Sequence, residues 1–192
     1  MNSRRAGAVL AGGASRRFGS PKAELRVDGV SLGARLLRTM GFLGLNPLIY
    51  NAPVGVADQP QGVITLPDRR AGRGPLEGLA TVLAHVRGEA LVAPCDLPGL
   101  DYEALQRMCD AWRPGMLGLV ARGPDGWHPL WGIYSHALLP EIEARLADGK
   151  LALRDLAEDL GLAAFEAEER WLINVNTPAD WEAWRRRNQR GA

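Results

Sequence analysis

The stretch VLAGGASRRFGSPKAEL, residues 9–25, sets a short apolar run against a loop holding three glycines, two adjacent arginines and a lysine, and an amphipathic segment follows. An apolar strand that opens into such a loop and returns through a helix is the unit of an α/β sheet. The open end of that strand faces the crevice where α/β proteins bind ligands. Gly12 and Gly13 let backbone N–H groups approach phosphate oxygens unhindered. Lys22 and Lys150 are the only lysines among 23 basic residues. A compact ammonium meets a phosphate as a point charge, where a guanidinium needs fork geometry, so a lysine in this loop is informative. The loop is neither G-x-x-x-x-G-K-[ST], since Ala23 follows Lys22, nor G-x-G-x-x-G. On the residues alone two readings stand, a phosphate-binding loop and a structural turn with solvated arginines.

Working outward, short apolar runs alternate with longer amphipathic stretches to the end of the chain, with Gly and Pro mostly between them. The pattern predicts strands near 6–11, 47–50, 63–66, 90–94, 116–121, 130–134, 163–167 and 172–175. It predicts helices near 32–43, 75–86, 102–112, 138–147, 153–160 and 178–187. Pro75 suits the first position of its helix, and Thr177 suits the N-cap before Pro178. The expectation is one α/β domain over residues 1–192, large enough to bury a proper core, with no internal repeat or linker. The tail RRRNQRGA reads as a solvated helix end whose cations suit the helix dipole.

Composition narrows the function classes. With 23 basic and 22 acidic residues the net charge is +1, so any anion site is local and a nucleic-acid coat is excluded. Cys95 and Cys109 share no metal-ligand spacing, and His85, His128 and His136 are scattered, so no zinc site is expected. The basic N-terminus leads into an apolar run too short for a signal or membrane segment, and the expectation is a soluble cytoplasmic protein.

Two later strand ends finish in aspartate, VITLPDRRAGRGPLEG at Asp68 and ALVAPCDLPGL at Asp96. In a parallel sheet both share the edge of the first loop. A carboxylate beside phosphates is repulsive unless a divalent cation intervenes, and Mg²⁺ typically takes one or two carboxylates with phosphate oxygens and water. Asp96 is the first choice for that ligand; a turn or helix-cap role competes at both positions, and Asp101 reads as a plain N-cap. The arginines Arg69, Arg70 and Arg73 make a second cationic loop, closing over a nucleotide or merely solvated.

Together, LAGGASRRFGSPK, GRGPLEGL, PCDLP, HPLWGIY and INVNTPADW stand in order and spacing in a pattern that resembles the molybdenum cofactor guanylyltransferases, over residues 9–184. The resemblance implies a three-layer α/β/α domain with a mostly parallel, Rossmann-like sheet. It also implies Mg²⁺-dependent transfer of GMP from GTP to the terminal phosphate of molybdopterin or the molybdenum cofactor, releasing pyrophosphate. By resemblance, the backbone of Leu10, Ala11, Gly12 and Gly13 holds guanine and nucleotide, and Lys22 neutralises the triphosphate. Asn51 and Asp68 contact the nucleotide, Asp96 binds the metal, and Asn174 and Asn176 lie on the pterin side. Lys22 and Asp96 are thus the catalytic candidates. The resemblance further implies transient contact with molybdenum cofactor biosynthesis proteins or molybdoenzymes, and neither nucleic acid nor membrane as a partner.

The chemistry of the residues agrees, because phosphoryl-type transfer needs positioning, charge neutralisation and a metal rather than a covalent group. The cytidylyltransferase relatives typically read AAG at Ala11-Gly12-Gly13, so this chain favours guanine. Glu77 departs from the family, which often carries a small residue there. Trp127 and Trp131 are candidates to stack on a flat heterocycle or to fill the core. Asn174 and Asn176 alternate along the predicted strand and so share a face, with turn bonding as the competing role. Two other readings remain: a different nucleotidyltransferase, for cytidylyl, sugar phosphate or phospholactate chemistry, and a non-catalytic carrier of GTP or pterin.

Overall fold

The computed structural model describes residues 5–11 and 25–189. Among them, seven strands form one sheet in the order β5-β4-β1-β6-β8-β7-β9. These are β1 (Ala6–Leu10), β4 (Leu48–Asn51), β5 (Ile64–Leu66), β6 (Glu89–Pro94), β7 (Gly118–Gly123), β8 (Gly126–Ser135) and β9 (Ala163–Glu166). A separate two-stranded hairpin, β2 (Arg26–Val27) with β3 (Val30–Ser31), precedes the first helix. Pairing is parallel across β5, β4, β1 and β6 and again between β7 and β9, while β8 runs antiparallel to both its neighbours. The described sheet is therefore mostly parallel with one reversed strand.

Burial on both faces explains the continuous apolar strands. Along β1, Ala6, Ala8 and Leu10 point into one core and Val9 into the other; β6 divides in the same way. The first core lies under α1 (Leu32–Phe42) and α3 (Tyr102–Ala111), the second under α2 (Pro75–His85), α4 (Leu139–Ala147) and α5 (Leu153–Asp159). Helices on both faces complete three layers. A third, smaller cluster joins Leu32, Val175, Trp181 and Trp184 of α6 (Pro178–Gln189) with Leu25, Val27 and Ile173. No helix among the described residues is long and apolar enough to cross a membrane.

Besides the hairpin, which the pattern did not foretell, two elements differ from the expectation. Residues 172–176 join no ladder; the segment is irregular, and the Val175 N–H donates to the Asp96 carbonyl at 2.9 Å instead. Strand β8 starts earlier than the predicted 130–134. Its register with β7 jumps, Val120 facing Gly132 and Ala121 facing His128, so residues 129–131 bulge out of the ladder. The buried Tyr134 hydroxyl donates to the Pro129 carbonyl and pins that bulge.

Candidate active site

The carboxyl ends of the parallel strands meet in register, Leu10 opposite both Asn51 and Pro94, and Asn51 opposite Leu66. Asp68 follows β5 by two residues and Asp96 follows β6 by two, so both carboxylates stand at the edge where β1 opens into the glycine loop. Leu10 and Ala11 lie within the described residues, the Ala11 N–H donating to the Asn51 carbonyl at 3.0 Å. Gly12, Gly13 and Lys22 lie outside them.

Asn51 is buried, and its amide group donates at 3.0 Å both to the Leu66 carbonyl and to Oδ1 of Asp68. That orients the Asp68 carboxylate from below. Gly78 makes room for the pair, because a Cβ there would sit 2.6 Å from Oδ1 of Asn51. Asp68 therefore does not cap a helix; α2 begins at Pro75 after Gly74.

Nor does Asp96 cap the next helix, since Asp101 accepts from the Ala104 N–H at 2.8 Å and takes that role. The loop between β6 and α3 is held from the other side: Gly99 lies so close to the Arg170 carbonyl that a Cβ would approach it to 2.3 Å. With the Val175–Asp96 bond, this closes the segment 170–176 onto the metal-candidate loop. Val175 is buried while Asn174 and Asn176 are exposed, so both asparagines are displayed on the outer side of the segment beside Asp96, although no strand holds them there. Asp180 fixes the entry to α6 by accepting from the N–H groups of Asn176 at 3.0 Å and Thr177 at 2.8 Å, and the Thr177 hydroxyl accepts from the Asp180 N–H at 3.2 Å.

Several of the open readings narrow. Trp131 is fully buried against Phe165 and Trp171 with edge-to-face geometry, which assigns it to the core and away from any ligand. Trp127 is half-buried with the Arg122 guanidinium 5.4 Å from its ring centre. Arg69 and Arg70 are engaged in ion pairs: both reach Glu143 of α4 at 2.6 Å, and Arg70 also reaches Glu77 at 2.8 Å. Arg73 donates to the Leu146 carbonyl. Burial raises the Glu143 carboxyl, but the hydrogen bonds and charges of the two arginines outweigh it and hold the group below the usual carboxylate range. Glu77 gave the sequence reading only its departure from the family; its partner Arg70 also bonds Glu143, 73 positions further along the chain, a junction that left no local signal.

The donor chemistry of the edge suits a hard divalent cation. Among the described residues no three His, Cys, Asp or Glu side chains gather into a self-sufficient metal site. One or two carboxylates completed by phosphate oxygens are the donor set that Mg²⁺ favours, and Asp96 fits it.

A mostly parallel sheet with the Asn51–Asp68 pair and Asp96 at the carboxyl ends of its strands belongs to the α/β class that binds its ligands along that edge. A family model, the MobA-like NTP transferase domain, matches residues 7–164, and the chain belongs to that family. It is 33% identical to a probable molybdenum cofactor guanylyltransferase of Synechococcus elongatus, over 91% of this chain and 95% of that one. It is 36% identical to one of Deinococcus radiodurans, over 90% of each. Among solved structures, molybdopterin-guanine dinucleotide biosynthesis protein A of Archaeoglobus fulgidus superposes with a TM-score of 0.75 at 22% identity, over 96% of this chain and 98% of that one. A Mycobacterium tuberculosis protein solved with manganese superposes with a TM-score of 0.65 at 22% identity, over 96% of this chain and 98% of that one.

Proposed function

We propose that the protein transfers the guanylyl group of GTP to the terminal phosphate of molybdopterin, releasing pyrophosphate. The observation that carries this reading is the Asn51–Asp68 pair at the end of β4 and β5. Guanine presents N1–H and N2–H donors side by side, and one carboxylate accepts both, whereas cytosine offers a single amino donor on that edge. The relatives' names support the same substrates.

In the proposed reaction an oxygen of the acceptor phosphate attacks the α-phosphorus of GTP, that P–O bond forms, and the bond from the α-phosphorus to the bridging oxygen breaks. The acceptor is already anionic near neutral pH, so no general base is needed. Lys22 neutralises triphosphate charge, the backbone of Leu10, Ala11, Gly12 and Gly13 cradles the nucleotide, and Asn174 and Asn176 orient the acceptor. Asp96 would hold Mg²⁺, which supplies charge screening between phosphate oxygens when bound. The relative solved with manganese supports a divalent ion in this fold.

The test is magnesium-dependent pyrophosphate release from each of the four common nucleoside triphosphates, with and without molybdopterin. Release that needs both GTP and molybdopterin is expected. Release with CTP alone overturns the guanine assignment, and GTP binding without turnover would make the protein a carrier.

A further inference from the structure

The loop that carries Asp68 is held by four charged side chains from three elements. Arg70 donates through Nε to Oε2 of Glu77 at 2.8 Å and through Nη2 to Oε2 of Glu143 at 2.6 Å. Arg69 donates through Nη2 to the other Glu143 oxygen at 2.6 Å, and its backbone N–H donates to the Thr81 hydroxyl at 3.3 Å. Glu77 lies in the first turn of α2 and is fully buried. Its Oε1 is 3.4 Å from Nε of Arg69, within ion-pair reach but outside hydrogen-bond geometry, and no other described group hydrogen-bonds it.

This arrangement is costly as a source of stability alone. Desolvating a carboxylate consumes most of what its ion pairs return, and the arginines and Glu143 are one-third to two-fifths exposed, where ion pairs contribute little. The packing of α2 on α4 is already supplied by Leu76, Leu79, Leu83, Ile142 and Leu146 of one apolar cluster. What the charges add is direction: they fix residues 69 and 70 against two helices, immediately after the carboxylate that Asn51 orients from the opposite side.

The geometry points to a specificity clamp. The Glu77–Arg70–Glu143–Arg69 network is a positioning device that holds Asp68 in register with the donor edge of the nucleotide base, and through it sets base discrimination. The inference rests on the reading that Asp68 meets the base. It also gives the buried Glu77 a role in this chain. Arg70 is the keystone because its rigid planar fork aims Nε at one carboxylate and Nη2 at the other, a geometry that a single ammonium nitrogen does not reproduce.

The experiment compares GTP with inosine triphosphate, which lacks the 2-amino group, using Glu143→Gln and Arg70→Lys beside the wild type, with molybdopterin as acceptor. The clamp requires the wild-type preference in kcat/KM for GTP to fall by about tenfold in both variants, through KM for GTP, with kcat changed less than about twofold. Amide exchange in residues 68–73 of the nucleotide-free protein should quicken while that of β1 and β4 stays as in the wild type. An unchanged preference, or a parallel loss with both nucleotides through kcat, overturns the clamp. If the wild type uses CTP instead, the guanylyl reading fails by itself, and the clamp then stands or falls on whether the same variants lower the preference for CTP over UTP.

Discussion

At the scale of single residues, the two aspartates were legible because each follows an apolar strand within two positions, a signal contained in a few adjacent letters. Their surroundings were not. Asn51 and Asp68 are 17 positions apart, and the clearance for Asn51 comes from Gly78, so their junction exists only once β4, β5 and α2 have packed. Asp96 carries the sharpest prediction. Asp96→Asn keeps size and most hydrogen bonding but removes the charge on which the proposed metal-binding role rests. Turnover should fall by at least about a hundredfold, the scale on which removing one electrostatic contributor to a transition state acts. Nucleotide binding measured in chelator should change little. Steady-state pyrophosphate release with a binding titration decides it, and near wild-type turnover would remove Asp96 from the metal role.

At the scale of elements, the period of the pattern located the helices and most strands to within a few residues. It failed where local pattern and tertiary context part. Residues 172–175 alternate as a half-buried strand does, but the buried partner of Val175 is the small cluster on α6 and its N–H is spent on Asp96. The hairpin β2–β3 has two residues per strand, too few to show a period. Its junction with α1 depends on Asp58, which accepts from the Ser31 N–H at 2.9 Å and the Ser31 hydroxyl at 2.6 Å, while Ser31 caps the helix through the Ala34 N–H. Burial raises the Asp58 carboxyl; the Ser31 bonds and Arg26 prevail, so its pKa is lowered on folding. A lowered carboxyl stabilises fully above its unfolded pKa and stops doing so as pH falls through its folded one. Asp58→Asn should therefore cost about 1 kcal/mol at neutral pH, and this deficit should shrink below the usual carboxylate range. Urea melts of both proteins at pH 7 and pH 3 measure this; a deficit that stays constant with pH would assign Asp58 no charge-dependent role.

At the scale of the whole molecule, a βαβ rhythm foretells layers and a binding edge, but it does not reveal that β8 is reversed, since strand direction is set by topology rather than by any residue. It also leaves open how the chain that follows the glycine loop meets the distant segment that carries Asn174. The small third cluster supplies that link. Leu25, Val27 and Leu32 lie just beyond the glycine loop in the chain, Ile173 and Val175 flank Asn174, and Trp181 and Trp184 stack at 5.4 Å to bind the two groups together. The chain from Leu25 to Leu32 and the segment that carries Asn174 are thus fastened to one patch of α6. Trp181→Ala should destabilise the fold by about 3 kcal/mol, at the lower end for a buried aromatic because the ring lies near the surface. In enzyme that remains folded at low temperature, it should raise KM for GTP and for the pterin acceptor together, whereas Asn174→Ala should raise only the acceptor's. A stability loss that leaves both KM values unmoved would show that the cluster supports the fold without aligning the proposed substrate sites, and a change confined to one substrate would place the link on that side alone.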